Sequence, residues 1–307
     1  MLVRHLSYFV TLARLQHFAR AAEACNVTQS TLSAAIRKLE EDLQVHLVVR
    51  SQRFLGLTVE GEHLLAWARQ ILTDYDSLRA DLSGLRSGLK GTLRLGVVPA
   101  AMGIVGFLTS RFCTAHPEAV VEIRSLSSRD IQNGLDSFEI EAGLTYLENE
   151  PLDRVRRVPL YHEHYVLAMR ADHVLAQQER VTWAEAVHHR LCLLSPDMQN
   201  RRILDKLAAS IGVALRPVIV SNSFLGICAH LRQGGFASIV PHTFRHLFGG
   251  TADLVMLDLV EPAHRQAIGL VLSDRDPLPP MAAALSRVVL DADLETSVWM
   301  GEAQAGA

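Results

Sequence analysis

Side chains able to hydrogen-bond to nucleic-acid bases are concentrated near residue 30. They are Thr28, Gln29, Ser30, Thr31, Ser33 and Arg37. On the N-terminal half of a helix, such amide and hydroxyl groups can reach base edges in the DNA major groove, and a glutamine can pair bidentately with adenine. Arg37, one turn further along, is better placed for a phosphate or a groove edge. Thr28 and Gln29 could equally be a helix cap and its neighbour.

Two arginines, Arg50 and Arg53, lie in the segment LVVRSQRFLGLT, which covers residues 47–58. Its β-forming residues, central polar cluster and glycine predict a two-stranded wing. Guanidinium groups on such a wing can contact phosphate or enter a narrow minor groove. The alternative is that both are solvated surface arginines.

Catalytic and metal-binding patterns provide the main rival hypothesis, an enzyme. The chain contains no GxSxG, GxxxxGK[ST] or HExxH motif. His162 with His164, and His188 with His189, could suggest a metal, but no cysteine or carboxylate completes either pair at a recognisable spacing. We therefore expect packing or solvated histidines, no metal, no cofactor and no catalytic residue.

The four cysteines, Cys25, Cys113, Cys192 and Cys228, are far apart and form no CxxC pair. This spacing argues against a disulfide framework or a zinc ribbon and favours reduced, buried thiols. A thiol that senses oxidants is a further alternative, although Cys25 is predicted on a core face and the other three lack basic neighbours in the sequence.

Three helices should position the polar cluster. Apolar spacing predicts the first from about Arg4 to Leu15 and the second from about Phe18 to Cys25. Asn26 then suits the left-handed conformation of a sharp turn. Thr28 can cap a third helix, Gln29 to Leu43, whose inner face carries apolar residues every three or four positions. This arrangement is a helix-turn-helix.

A long helix is predicted from Val59 to about Leu89, where proline is absent. Apolar residues alternate there at steps of four and three, as in a coiled-coil seam. We predict self-association along this seam, although a long helix packed on its own protein is the alternative. The seam comprises Leu64, Ala68, Ile71, Tyr75, Leu78, Leu82, Leu85 and Leu89.

Beyond Gly91, strands alternate with helices, which predicts an α/β body with a largely parallel sheet or sheets. The expected strands include TLRLGVV, VVEIRSL, AGLTYL, YVLAMR, RLCLLS, RPVIVSN, ASIVP, LVMLDLV and AIGLVLS. A body of about 200 residues suits two similar lobes with a cleft between them.

Charge is unevenly distributed along the 307 residues, although the net charge is only −3. Residues 1–58 carry seven basic and four acidic side chains, a local balance of +3, so the remainder carries −6. A basic head on an acidic body is compatible with DNA binding. No stretch approaches the roughly 18 consecutive apolar residues of a membrane span, and no signal peptide is evident, so we expect a cytoplasmic protein.

The chain resembles the LysR-type transcriptional regulators. The most specific block is HFARAAEACNVTQSTLSAAIRKLEEDLQVHLVVR, residues 17–50, followed by LTVEGEHLLAWARQIL, GTLRLGVVPA, LYHEHYVLAMRADHVLA and RQGGFASIVP. Ser30 departs from a frequent proline of the family and Ala34 from a frequent arginine, so base preference or affinity should differ. The resemblance implies a winged helix-turn-helix, a dimerising linker helix and a two-lobed effector domain like that of periplasmic binding proteins.

The resemblance also implies an effector site at strand ends that face the cleft. Each residue there could instead be a cap or turn residue, and two alanines stand where the family often has serine or threonine. The implied set is Pro99, Ala100, Ala101, Ser127, Ser128, Thr145, Ser195, Asn222, Ser223 and Phe224.

From these residues and the resemblance we predict a DNA-binding domain over 1–58, a linker helix over 59–90 and an effector domain over 91–307. Lobe I should span about 91–162 and 267–297, and lobe II about 163–266. The expected partners are double-stranded DNA, a polar or anionic small molecule, and further copies of the chain in a dimer or tetramer. RNA polymerase is a further candidate partner. A binding protein without a regulatory role is opposed by the helix-turn-helix.

Overall fold

The computed structural model describes residues 2–50, 54–87, 89–248 and 253–290. Within these ranges, the side chains of residues 2, 50, 77, 80, 81 and 83–87 are not described. The chain forms two compact units, each with its own hydrophobic interior. The first comprises Met1–Lys90 with Asp136–Glu139, and the second comprises Gly91–Leu135 with Ile140–Ala307.

The first unit contains the predicted helix-turn-helix, a hairpin and a long helix. In chain order these are α1 (Leu2–Leu15), α2 (Phe18–Ala24), α3 (Gln29–Leu43), β1 (Val48–Arg50), β2 (Phe54–Leu57) and α4 (Val59–Ser87). Strands β1 and β2 pair antiparallel, as a wing does. Asn26 has a φ of 54°, so it adopts the left-handed conformation that the turn was predicted to need.

One apolar cluster holds this unit together. Leu6, Phe9 and Leu12 of α1 pack with Leu32 and Ile36 of α3. Their spacing of three or four residues places them on one face of each helix, so the opposite face of α3 stays in solvent. The edge of the Phe54 ring on β2 lies against Phe18, with centroids 6.3 Å apart, so the wing joins the same interior.

The second unit is an α/β body of alternating strands and helices. Its strands are β3 (Gly91–Val97), β4 (Ala119–Ser125), β5 (Ala142–Tyr146), β6 (Val155–Glu163), β7 (Tyr165–Arg170), β8 (Arg180–Thr182), β9 (Cys192–Leu194), β10 (Ile219–Ser221), β11 (Ala237–Pro241), β12 (Leu254–Val260) and β13 (Gln266–Ser273). Its helices are α5 (Val105–Ala115), α6 (Ser128–Asp136), α7 (Trp183–Ala186), α8 (Gln199–Ser210), α9 (Phe224–Gln233), α10 (Arg245–Phe248) and α11 (Pro280–Leu290).

Two lobes are defined by the strand order. Lobe I is a five-stranded sheet in the order β4-β3-β5-β13-β6, and lobe II has a four-stranded sheet, β11-β7-β12-β8, beside the pair β10-β9. The prediction of largely parallel sheets was wrong. Strand β13 runs antiparallel to both β5 and β6, and β7 runs antiparallel to both β11 and β12.

The chain crosses between the lobes twice. One crossing lies between β6 and β7, at residues 163–165, and the other lies between β12 and β13, at residues 260–266. These crossings explain the mixed sheets, because a strand that returns from the other lobe enters next to strands of the opposite direction. They lie close to the predicted lobe limits; residues 291–297 of predicted lobe I fall outside the described residues.

Of the helices within the described ranges, not one combines the length and apolar character of a membrane span.

Candidate functional site: an exposed helix face and a polar cluster between two lobes

The start of α3 is fixed by a side-chain cap. Thr28 Oγ1 accepts the backbone N–H of Thr31 at 3.2 Å, and it lies 2.9 Å from Ser30 Oγ and 2.8 Å from Thr31 Oγ1. Thr28 is therefore the cap of α3, as one of the two interpretations held. The cap satisfies one helix-end donor and orders the hydroxyls on the first turn.

The predicted base-contacting residues share the outer face of α3. Thr28, Gln29, Ser30, Thr31 and Arg37 are all exposed, and Ser33 is half-buried. They project from a helix whose inner face is fully packed, so a groove can receive them without disturbing the core. Lys38, further along this helix, lies 2.9 Å from Asp42 and is therefore partly neutralised.

The wing is fastened to α3 by a buried carboxylate. Glu40 Oε1 accepts the backbone N–H groups of Leu47 at 3.0 Å and Val48 at 3.3 Å. No sequence motif marks Glu40 for this role. The side chain of Arg50 and the whole of Arg53 lie outside the described residues, so their predicted contacts with DNA stay predictions.

The predicted seam on α4 divides between two environments. Ala68 is fully buried in the apolar cluster of the first unit, and Leu64 packs against that cluster. Ala68 thus differs from the prediction, because the chain's own core already covers it. Ile71, Tyr75, Leu78 and Leu82 are 39–59% exposed. The side chain of Leu85 lies outside the described residues.

A large residue missed by the sequence analysis extends the exposed part of this seam. Trp67 is 57% exposed on α4, one turn before Ile71. The heptad pattern does not include Trp67, because it assigns the neighbouring Ala68 to the seam. The exposed stripe formed by Trp67, Ile71, Tyr75, Leu78 and Leu82 is the apolar surface of α4 that another chain could cover.

Polar groups from both lobes of the α/β body meet at the ends of β5, α6 and α8. Ser128 Oγ lies 3.1 Å from Thr145 Oγ1 and also hydrogen-bonds to Gln199 of lobe II. Gln199 Nε2 in turn donates to the backbone oxygen of Glu148 at 3.2 Å. Two predicted effector residues are thus brought together, and Gln199, which was not predicted, joins them from the opposite lobe.

The remaining predicted effector residues occupy separate positions. Pro99, Ala100 and Ala101 form a buried 3-10 turn directly after β3. Ser127 Oγ accepts the backbone N–H of Asp130 at 3.2 Å, as a helix-capping residue does, and donates to the Asp130 carboxylate at 2.6 Å. In lobe II, Ser195 has a buried hydroxyl without a hydrogen-bond partner among the described residues. Asn222 and Ser223 are exposed, and Phe224 is buried against Phe244.

A second polar cluster lies where β6 crosses to β7. The Tyr146 hydroxyl donates to Glu163 Oε1 at 2.8 Å and accepts Nδ2 of Asn200 at 2.9 Å. Glu163 is fully buried, and burial raises its pKa to about 8, although the hydroxyls of Tyr146 and Tyr165 partly oppose the shift. No local sequence pattern marks this cluster, because its residues are distant along the chain.

A pair of stacked histidines lies beside it. The rings of His164 and His242 are 3.9 Å apart and nearly parallel. Burial lowers the pKa of His164 to about 4 and that of His242 to about 3, so both are neutral at physiological pH. His164 is therefore a histidine that packs against its neighbours, which is one of the two roles expected from the sequence. Within the described residues, no group of three or more His, Cys, Asp or Glu side chains is arranged to hold a metal ion.

Comparison with known proteins matches both units. A family model described as a bacterial regulatory helix-turn-helix protein of the lysR family matches residues 3–62. Another, described as the LysR substrate binding domain, matches residues 86–293.

Curated relatives match over nearly the whole chain. The SDS degradation transcriptional activation protein of Pseudomonas sp. is 31% identical over 304 residues, which cover 96% of this chain and 97% of the relative. The DNA-binding transcriptional dual regulator OxyR of Escherichia coli is 32% identical over 283 residues, 91% of each chain. The uncharacterised regulator YnfL of the same species is 30% identical over 250 residues, 80% of this chain and 84% of the relative.

Solved structures share the fold. A full-length OxyR cysteine variant from Pseudomonas aeruginosa has a TM-score of 0.75 at 22% identity and covers 96% of this chain and 97% of its own. Full-length CbnR complexed with its target DNA has a TM-score of 0.70 at 21% identity, with 95% and 99% covered.

Proposed function

Because the chain belongs to the LysR family of bacterial transcriptional regulators, we propose that it recognises its operator through the exposed face of α3, and that a small polar effector held between the two lobes alters this binding. The observation that carries the proposal is the division of α3 into a packed face and an exposed polar face.

The geometry of α3 supports direct base contacts by its first turns. Gln29, Ser30 and Thr31 are exposed at the N-terminal end of the helix, which is the part that enters the major groove in helix-turn-helix proteins. Ala34 is also exposed there, and its methyl group can contact only apolar parts of a base, such as the thymine methyl. We propose that Arg37, Arg50 and Arg53 contact the DNA backbone or groove edges.

The exposed stripe on α4 supports assembly into a dimer. Five large side chains, each 39–59% exposed, lie along one helix, and apolar patches of this kind commonly mark protein interfaces. A dimer would present two copies of α3 to two half-sites. We propose further that dimers pair into a tetramer, as the family resemblance implied.

The Ser128–Thr145–Gln199 cluster supports an effector site between the lobes. All three residues are at least 95% buried, and Gln199 of α8 in lobe II bonds to Ser128 of α6 in lobe I, which in turn contacts Thr145 of β5. A ligand that replaces the Gln199 contacts would change how the lobes bind each other. It can shift the assembly only if it binds one lobe arrangement more tightly than another.

A thiol-based response, the alternative raised from the sequence, has less support in this chain. Burial raises the pKa of Cys192 to about 11 and also raises the pKa of Cys228. The thiolate is the reactive form, so these two cysteines are poor oxidant sensors. Cys113 is exposed, contrary to the prediction of buried thiols. A peroxide response of DNA binding that is lost in Cys113→Ser would assign the sensing role to this thiol.

Selection from a random DNA library tests the DNA-binding part of the proposal. The full-length protein should enrich a sequence with two half-sites whose centres are about one helical turn, or a multiple of it, apart. Enrichment of no sequence above a protein-free control would contradict sequence-specific recognition.

A bulky substitution tests the effector part. Metabolites that raise the melting temperature of the full-length protein are first identified, since a ligand specific for the folded state stabilises it. Ser128→Phe should abolish their binding and leave basal operator binding nearly intact. Ser110→Phe, the same change at an exposed position of α5, is the matched control. If Ser128→Phe binds the metabolites with undiminished affinity, the effector site does not lie at this cluster.

A further inference from the structure

We propose that the cluster of Tyr146, Glu163 and Asn200 binds a primary ammonium group, so that the effector of the proposed function is an amine. This inference rests on the proposed function and names the chemical class of its ligand. Its basis is a pair of buried oxygen atoms without a hydrogen-bond partner among the described residues, Asn200 Oδ1 and Glu163 Oε2, both of which are acceptors once Glu163 is ionised.

One hydroxyl brings the two acceptors together. Tyr146 Oη bonds to Glu163 through Oε1 and to Asn200 through Nδ2. Each unpartnered oxygen is attached to the same carbon as the atom already bonded, so both lie within about 5 Å of the tyrosine hydroxyl. An ammonium has three N–H donors and no acceptor. In the proposed complex, one such group beside the tyrosine hydroxyl donates to both oxygens.

Within the described chain, the cluster also contains no cation that could pair with an ionised Glu163. Among the described residues no lysine or arginine forms an ion pair with Glu163, and the groups that face it are the hydroxyls of Tyr146 and Tyr165 with Tyr161 nearby. Without a counter-charge the buried carboxyl stays protonated at pH 7, and an ammonium would supply the charge that stabilises its ionised form. Tyrosine rings are also favourable neighbours for an ammonium.

The two arginines that follow Asn200 in the chain already bind other groups. Arg201 lies 2.9 Å from Asp205 and donates to the backbone oxygen of Leu194 at 3.1 Å. Arg202 donates to Glu150 at 2.7 Å. Neither guanidinium group is therefore available to neutralise Glu163, and an anionic ligand would find no cation within this cluster. We therefore expect a cationic effector, in place of the polar or anionic one expected from the sequence.

The cluster spans the two lobes. Asn200 belongs to α8 of lobe II, Tyr146 ends β5 of lobe I, and Glu163 lies at the crossing from β6 to β7. Separation of the lobes therefore breaks the contact between Asn200 and Tyr146. An ammonium bound to both Glu163 and Asn200 would hold this crossing and α8 together, which gives the ligand a preferred lobe arrangement.

Binding should release one proton. Burial holds the pKa of Glu163 at about 8, so its carboxyl is protonated at pH 7, whereas an ammonium favours the ionised form. The neighbouring tyrosines have pKa values raised by burial and by Glu163, and His242, next to Tyr161, is kept neutral by burial. Glu163 is therefore the group of this cluster that should change protonation between pH 5 and pH 8.

Three probes of equal length test the charge preference in the full-length protein: n-butylammonium, butyrate and butan-1-ol. In thermal-shift titrations at pH 7, n-butylammonium should reach half-saturation at a concentration at least tenfold below either of the others. Isothermal titration in two buffers of different ionisation enthalpy should show proton release on its binding.

Two variants and a control locate the site. Glu163→Gln should weaken n-butylammonium binding at least tenfold and abolish the proton release, whereas Asn200→Asp, which adds a second carboxylate, should strengthen binding. Glu141→Gln, which alters a mostly buried carboxyl engaged by Arg94 at 3.0 Å, should change neither. If Glu163→Gln does not fold, the affinity of Asn200→Asp for n-butylammonium tests the site, and an affinity no higher than that of the wild type would overturn the proposal.

The proposal is overturned if n-butylammonium binds no better than butyrate, if none of the probes binds, or if Glu163→Gln binds it with unchanged affinity. Failure of the proposed function is a different result. A chain that prefers n-butylammonium but enriches no DNA sequence would lose the regulatory role and keep this site. A chain with a selected operator and no such preference would lose only this site.

Discussion

The carboxylate of Glu40 on α3 accepts the backbone N–H of Leu47 at 3.0 Å and thereby fixes the entry to the wing. The same oxygen accepts the N–H of Val48 at 3.3 Å, and both of these backbone groups belong to buried residues. The orientation of the wing relative to the recognition helix thus depends on one side chain that never needs to contact DNA.

Glu40→Ala should destabilise the first unit by about 1–3 kcal/mol, because two buried N–H groups lose their acceptor. Calorimetry of the full-length protein should show a lower melting temperature, and operator affinity should fall as well. Glu41→Ala is the matched control, since the neighbouring Glu41 is exposed and its ion pair with Lys38, at 3.8 Å, is long. Equal effects of the two changes would contradict this role of Glu40.

Gly61→Ala should also destabilise this unit. A Cβ at residue 61 would lie 2.1 Å from the backbone oxygen of Leu47, so the wing would have to move. The alanine helix preference of about 1 kcal/mol would be outweighed, and we expect a net loss of about 1–3 kcal/mol. Chemical denaturation measures the loss. Gly56→Ala, where nothing lies within 4 Å of the added carbon, should be nearly neutral, and a stabilised Gly61→Ala variant would refute the steric argument.

Gln29→Ala should weaken binding to the selected operator by about 1–3 kcal/mol if its contact with a base is bidentate, with a much smaller effect on non-specific DNA. Fluorescence anisotropy with both DNAs measures the difference. Lys38→Gln, on the same helix but paired with Asp42, should affect both DNAs alike. Equal losses on both DNAs for Gln29→Ala would assign this residue a backbone contact or a folding role.

Leu78→Asp should dissociate the assembly, because it places an uncompensated charge in the middle of the exposed stripe on α4. Leu78 is 56% exposed in the single chain, so the fold itself should tolerate the change. Analytical ultracentrifugation should show smaller species, and operator binding should weaken. Val174→Asp, at a residue 77% exposed in the α/β body, should leave the assembly intact. Unchanged sedimentation of Leu78→Asp would place the dimer contact elsewhere.

His242→Asn should reduce the acid sensitivity of the α/β body. Burial lowers the pKa of His242 from 6.5 to about 3. Between these two pH values the imidazole is therefore protonated in the unfolded chain and neutral in the folded chain. The stability contributed by neutral His242 is thus present above pH 6.5 and is lost as the pH falls towards 3.

Melting temperatures at pH 7 and pH 4.5 measure this difference. The advantage of the wild type over His242→Asn at pH 7 should shrink at pH 4.5. Comparison with the variant is needed, because the raised pKa of Glu163 acts in the opposite direction: its contribution is greatest below about pH 4.5 and is lost as the pH rises through 8. An advantage that grows as the pH falls would contradict the assignment.

Much of the helical unit was predictable because its contacts are local. The bounds of α3, the cap at Thr28 and the left-handed Asn26 follow from residue type and a spacing of three or four. The α4 seam was predicted less well. Periodicity marks the apolar positions of a helix, but it does not say whether α1 or another chain covers them, and so Ala68 was assigned to the seam and Trp67 was missed.

By itself, the sequence determined the order of the elements, the recognition helix and the family, since these depend on neighbouring residues and short specific motifs. Only the tertiary structure decided the direction of β13 and the meeting of Tyr146, Glu163 and Asn200, residues that are up to 54 positions apart. The physical reason is that strand direction and the pKa of a buried carboxyl depend on what the two crossings between the lobes bring into contact, and no local pattern encodes that environment.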